Sequence, residues 1–218
     1  MGSITAVRKP PHNKTFGMEI EAYPAIFTDW WKEGLHTGFW ESTYDGSLGS
    51  NGLEWICQPM PYSMLIKQIN RLHRTLRGWR VDHRCGLHIH VSRGYWSDKR
   101  EEAFSKFLWT LTSKELTTLF GRDSSYARTY YDRDNKFRAI NVLHPATFEF
   151  RLWAAGDLAW TLEALRRTKL IVEYRGKWTM DNILALFTEP NIPFVHMFQE
   201  AASIPAVRRV RRAPAVPV

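Results

Sequence analysis

The sequence predicts a single α+β domain, a curved and mainly antiparallel sheet backed by helices on one face. Three observations carry this expectation. Short apolar runs with period-two alternation (FGMEIEAY, LEWICQ, CGLHIHVS, FEFRLW) read as strands. The stretches between them show helical spacing of apolar residues, with no internal repeat and no interdomain linker. At 218 residues the chain suffices for one packed core and is short for two.

Residues 1–14 read as a flexible lead-in, with Pro10 and Pro11 breaking regular structure. A strand is expected from Thr15 to Tyr23. The aromatic, Gly-rich region from Trp30 to Ser50 ends in YDGSLGSNG, a turn signal that delivers the chain into LEWICQ. Pro59 and Pro61 are expected to end that second strand. Leu65, Ile69, Leu72 and Leu76 then mark an amphipathic helix over 63–76. A third strand spans Gly86 to Ser92. A helix follows with Ser97 or Asp98 as its cap and Phe104, Phe107, Leu108 and Leu111 as its buried stripe. A further helical turn runs from Ser113 to Phe120. GRDSSYARTYYDRDNKFRAIN, dense in Arg, Tyr and Asp, reads as an irregular functional loop. A strand from Thr147 to Trp153 comes next, then helices over 157–174, 181–187 and 194–202. One folded domain is thus expected over 15–203, with a basic, Pro-containing and disordered tail at 204–218.

Bulk properties narrow the partners. No apolar run approaches the roughly 20 residues that span a bilayer, so no membrane partner is expected. The N-terminal MGSITAVRKPPHNK lacks an apolar signal core, and the only cysteines are Cys57 and Cys85; both favour a reduced, cytoplasmic protein. The net charge of +8 invites a polyanion, but it is spread. Part sits in the tail, at Arg208, Arg209, Arg211 and Arg212, and part on one helix, at Lys67, Arg71, Arg74 and Arg77. A phosphate-rich substrate suits this charge as well as nucleic acid does.

Three strands share one unusual pattern: two chemically capable residues spaced by two inside an apolar run. They are Glu19 and Glu21, His88 and His90, and Glu149 and Arg151. Residues two apart on a strand face the same side, so each strand buries one face and presents polar groups on the other. Glu54 in LEWICQ adds a fourth carboxylate. If the strands share a sheet, these groups collect on one surface. Close carboxylates there raise a pKa or recruit a cation, and oxygen-rich sites suit Mg²⁺ or Mn²⁺. Paired histidines on a strand also suit Zn²⁺. Gly86, lacking a side chain, leaves room for a ligand to approach the backbone.

Taken in order, GMEIEAY, YDGSLGSNGLEWICQP, CGLHIHVS, RAIN and FEFRLWAAG resemble the amidoligase family. These are carboxylate–amine ligases related to glutamine synthetase and glutamate–cysteine ligase, and the resemblance spans roughly residues 15–175. It implies a glutamine-synthetase-like catalytic core, ATP and two divalent ions as cofactors, and a carboxylate and an amine as substrates. By motif position it implies that Glu19, His88 and Glu149 hold one ion, and Glu21 and Glu54 a second. Arg151 would reach the transferring phosphate, with His90 and Ser92 on the nucleotide side. Asp45, in the turn before the Glu54 strand, is the candidate base for the attacking amine. Arg122, Arg128, Lys136 and Arg138 are candidates for phosphate or substrate-carboxylate contacts.

Two other readings compete. A zinc-dependent hydrolase would use His88 and His90 as ligands and Glu149 or Glu54 to activate water; it explains the Glu19/Glu21 pair poorly. A non-catalytic nucleic-acid-binding module would use the basic helix and tail, but it gives no reason for carboxylates to line strands.

Overall fold

A computed structural model of the chain describes residues 14–24, 39–49, 52–76, 79–122 and 137–188. The expected helix over 194–202 and the tail lie outside these residues, as do Arg128, Lys136 and most of the irregular loop. The described residues all belong to one compact unit, 1–188.

Six strands form one sheet: β1 (Thr15–Ala22), β2 (Trp40–Tyr44), β3 (Leu53–Pro61), β4 (Gly86–Ser92), β5 (Ile140–Asn141) and β6 (Thr147–Ala154). Their order is β2-β3-β1-β4-β6-β5, and every pair is antiparallel. The helices are α1 (Tyr62–Thr75), α2 (Asp98–Trp109), α3 (Ser113–Phe120), α4 (Leu158–Glu173) and α5 (Met180–Thr188). The α+β class and the antiparallel sheet expected from the sequence are what the structure has.

Alternation divides the sheet into two chemically distinct faces. Met18 and Ile20 of β1, Leu87 and Ile89 of β4, and Phe148, Phe150 and Trp153 of β6 are all buried. Each such side chain contributes about 1.5–3 kcal/mol of burial free energy. Helices cover this face. Phe104 of α2 and the buried Trp96 pack on Phe150, Phe120 of α3 meets Trp153 edge-on, and Thr168 of α4 accepts a hydrogen bond from Trp153 Nε1 at 2.9 Å. α1 packs on β1, β3 and α4, and α5 on α4. The basic residues Lys67, Arg71 and Arg74 of α1 are exposed on its outer side.

Local signals set the helix ends. Thr112 and Glu115 form a reciprocal capping box at the start of α3, and Gly121 closes it in the left-handed region at φ 74°. Asp157 caps α4 by accepting from Trp160 N at 2.8 Å. Ser97 takes the N-cap position of α2 but makes no side-chain capping bond.

Three sequence expectations need correction. β3 does not end at Pro59 but runs to Pro61. β2 pairs only as far as Cys57, so beyond it β3 has β1 as its single neighbour, where a missing N–H is tolerated. A bulge lies at the same place, opposite Gly17, where an added β-carbon would sit 3.0 Å from Cys57 O. Alternation in β6 also breaks: a bulge places Arg151 and Leu152 together opposite His88, so Trp153, not Leu152, faces Leu87. Finally, β2 and β5 fall in stretches where no strand was expected, the aromatic, Gly-rich region and the irregular loop. WESTY is a polar edge strand and β5 has two residues, so neither carries a periodic apolar signal.

Candidate active site

The polar face of the sheet gathers the strand residues singled out above. Glu19 and His88 stand directly opposite across β1 and β4, and Glu21 and Glu54 across β1 and β3. His90 stands opposite Glu149 across β4 and β6. The central order β3-β1-β4-β6 therefore puts carboxylates, imidazoles and a guanidinium side by side.

Glu19 is the hub. Its Oε2 lies 3.1 Å from His88 Nδ1 and its Oε1 2.9 Å from His90 Nε2. His88, only 2% exposed, also has Glu149 Oε1 at 3.4 Å from Nδ1 and Glu21 Oε1 at 3.5 Å from Nε2. His88 Nε2 nevertheless has no hydrogen-bond partner. Glu149 is held from two sides: Asn141 Nδ2 donates to its Oε2 at 2.6 Å, and Arg151 Nη1 pairs with its Oε1. Thr147 Oγ1 lies 3.3 Å from His90 Nδ1.

Electrostatics follow from this crowding. Burial pushes the Glu54 carboxyl up to about 8, and the neighbouring charges of Glu19, Glu21 and Asp45 add to the shift. Burial alone would raise Glu19 too, but its hydrogen bonds with His88 and His90 hold it well below the usual carboxylate range. Burial would lower His90, yet its hydrogen bond to Glu19 and the charges of Glu19 and Glu149 raise it. Protons thus take up part of the like-charge repulsion.

Two three-donor groups arise: Glu19, Glu54 and His88, and Glu19, His90 and Glu149, each with donor atoms within 4.8 Å of one another. They share Glu19. His88 Nε2, buried and without a hydrogen bond, and the Glu54 carboxyl, raised by burial and by the charges around it, lie among donor atoms that could hold a metal ion. Mixed carboxylate–imidazole groups of this kind fit divalent ions such as Mg²⁺ or Mn²⁺. The grouping differs from the expected one in linking Glu54 to Glu19 and His88, and His90 to Glu19 and Glu149.

Arg122 enters from just past α3. It is 6% exposed, and its Nη2 donates to Arg84 O at 3.2 Å, while Nε and Nη1 find no partner. Burial lowers its pKa, opposed by the charge of Glu21. Its guanidinium fills the space over Gly86: a β-carbon there would sit 2.1 Å from Arg122 Nη1 and 2.8 Å from His88 Nε2. The gap expected to admit a ligand is thus occupied by this side chain. Gly86 N also donates to Glu21 Oε2.

The remaining candidates stand apart. Asp45 caps a short 3₁₀ turn (Gly46–Leu48), accepting from Ser47 N at 2.8 Å and Ser47 Oγ at 2.9 Å, and its charge is felt at Glu54. Ser92 sits at the end of β4 and accepts from Thr15 N at 3.3 Å. Arg138 is a correction. It is buried on the helix side, where its Nη2 meets Glu101 Oε1 of α2 at 3.1 Å, and it does not join the cluster. A guanidinium preceding Ile140 by two shares that residue's apolar side, and a buried carboxylate compensates it. Arg128 and Lys136 lie outside the described residues. Asn141 was missed as a site residue because β5 is too short to show periodicity. Its place in RAIN, one of the motif segments, was the available signal. Neither a scan against models of protein families nor a search of curated proteins returns a match to this chain.

Proposed function

We propose that the protein is an ATP-dependent carboxylate–amine ligase that forms an amide or isopeptide bond through an acyl phosphate. The observation that carries this reading is the pair of three-donor groups sharing Glu19 on one sheet face, flanked by the guanidiniums of Arg151 and Arg122. The ordered motifs and their resemblance to amidoligases point the same way.

Glu19, Glu54, His88, His90 and Glu149 would hold the divalent ions, with Glu21 beside them. Such ions neutralise phosphate charge and polarise the phosphoryl oxygens. The substrate carboxylate attacks the γ-phosphorus and ADP leaves; the amine then attacks the acyl carbon and phosphate leaves. Arg151, anchored by Glu149, carries fixed positive charge to the transferring phosphoryl group. Arg122, buried and incompletely hydrogen-bonded, offers a second cation to a phosphate or carboxylate. Asp45, held by Ser47 and with its charge felt at Glu54, would take the amine's proton. Holding the donors on central strands limits their motion, which favours a reaction that depends on positioning.

The test is ADP release from Mg²⁺- or Mn²⁺-ATP with pooled carboxylates and amines, and mass detection of the product. Glu19→Ala and Glu149→Ala are each expected to cut turnover at least about a hundredfold while the circular dichroism spectrum stays unchanged. Full activity in both variants would end the proposal. So would one tightly held zinc with ATP-independent hydrolysis, the outcome expected of a zinc hydrolase using His88 and His90.

A further inference from the structure

A second concave surface lies on the helix layer, between α2 and the segment 174–179 that links α4 to α5. It is open to solvent and has a volume of about 620 Å³. Its charged lining is entirely cationic: Lys99, Arg100, Lys106, Arg175 and Lys177. Two of these have structural work. Arg100 Nη2 donates to Tyr174 O, and Arg175 Nη1 to Val172 O at 3.1 Å, tying down the last turn of α4. Lys106, itself exposed, pairs with the half-buried Glu102 at 2.9 Å, four residues earlier on α2. Lys99 and Lys177, on opposite walls, are exposed.

Aromatic rings run along the same cleft. Tyr174 and Trp178 have centroids 4.7 Å apart, and Trp178 stacks on Phe107 at 6.2 Å and 24°. Three residues beyond Lys106 on α2, beside that lysine and outside the cleft lining, Trp109 is 61% exposed. Leaving an indole in water next to a cationic cleft costs free energy that a stacking ligand would recover.

We propose that this cleft and Trp109 bind single-stranded nucleic acid, with phosphates at Lys99, Lys106 and Lys177 and a base stacked on the exposed face of Trp109. Alternating cations and π-faces are what such strands require. An acidic peptide would use the charges and leave the rings without purpose. A single nucleotide would fill the cleft and leave Trp109 bare. The site is independent of the carboxylate–histidine face, which lies across the sheet.

The test is fluorescence anisotropy of the full chain with a labelled RNA of about twelve nucleotides over a series of KCl concentrations. Lys99→Gln with Lys177→Gln is expected to make the log–log salt slope shallower by about 1.4 and to weaken binding about tenfold near physiological salt. Trp109→Ala should weaken it about fivefold or more. Replacing Arg208, Arg209, Arg211 and Arg212 together by glutamine should change affinity less than about twofold. ADP release under the ligase assay should be unaltered in the lysine variant. Affinity within twofold of wild type in the lysine variant would overturn the proposal, as would binding that vanishes with the tail arginines. Competition by uridine monophosphate or polyglutamate as effective, per charge, as unlabelled RNA would also overturn it.

Discussion

A carboxyl group pressed against two others either keeps its proton or gains a cation. Glu54 keeps its proton to about pH 8 through burial and the charges of Glu19, Glu21 and Asp45. Because its folded pKa lies above the ordinary value, its contribution favours the fold below about pH 4.5 and is lost as pH rises through about 8. His90, also raised, loses its contribution above its ordinary value of 6.5, in the same direction. The metal-free protein is therefore expected to melt at progressively lower temperature from pH 5.5 to 8.5. Glu54→Gln should flatten that decline, and Mn²⁺ should restore the melting temperature most at the alkaline end. A melting temperature that rises across this window would contradict the assignment. Gly86 makes a second argument at this scale. Its alanine variant would drive a β-carbon into Arg122 and His88. Overpacking of this kind costs about 1–3 kcal/mol. Gly86→Ala should lower the melting temperature by several degrees and weaken Mn²⁺ binding, and adding Arg122→Met should recover part of the lost stability.

Among the elements, the shortest strand has a role out of proportion to its length. β5 pairs only Ile140 and Asn141 with β6, yet this aims Asn141 at Glu149. Outer partners of this type orient the ligands they touch. Asn141→Ala is expected to weaken Mn²⁺ affinity about 10- to 100-fold, measured by calorimetric titration, with little loss of helix content. Three residues before Asn141 on the same segment, Arg138 serves the other layer. Removing one member of a buried pair leaves the other charge uncompensated, so Arg138→Ala should destabilise by about 3–5 kcal/mol in urea. Arg138→Met with Glu101→Leu should recover most of it, and neither change should alter Mn²⁺ affinity. The segment preceding β6 thus supports the candidate site on one face and the α2 packing on the other.

For the whole molecule, the sheet separates an apolar, helix-covered face from a polar one, and the two proposed binding functions fall on opposite sides of it. Deleting residues 206–218 is expected to leave ADP release unchanged, since every residue assigned to the ligase site lies before them. Much of this was legible in the chain. The period-two pairs Glu19/Glu21, His88/His90 and Glu149/Arg151 announced their common face, because strand geometry sends alternate residues to one side whatever the partner. The helices were readable from apolar spacing and caps, and the antiparallel α+β class from their alternation with strands. Strand order, register and the β6 bulge were not readable, since nothing local encodes which strand lies beside which. Those decided that Glu19 meets both histidines, that Glu54 faces Glu21, and that Trp153 stands opposite Leu87. They also sent Arg138 to Glu101 and brought Arg122 over Gly86, two arginines the loop sequence could not tell apart. Side-chain type and spacing are local properties of the chain, whereas the neighbours that tune charge and donor grouping come from residues far apart in it, as Glu19 and His90 are at 71 positions.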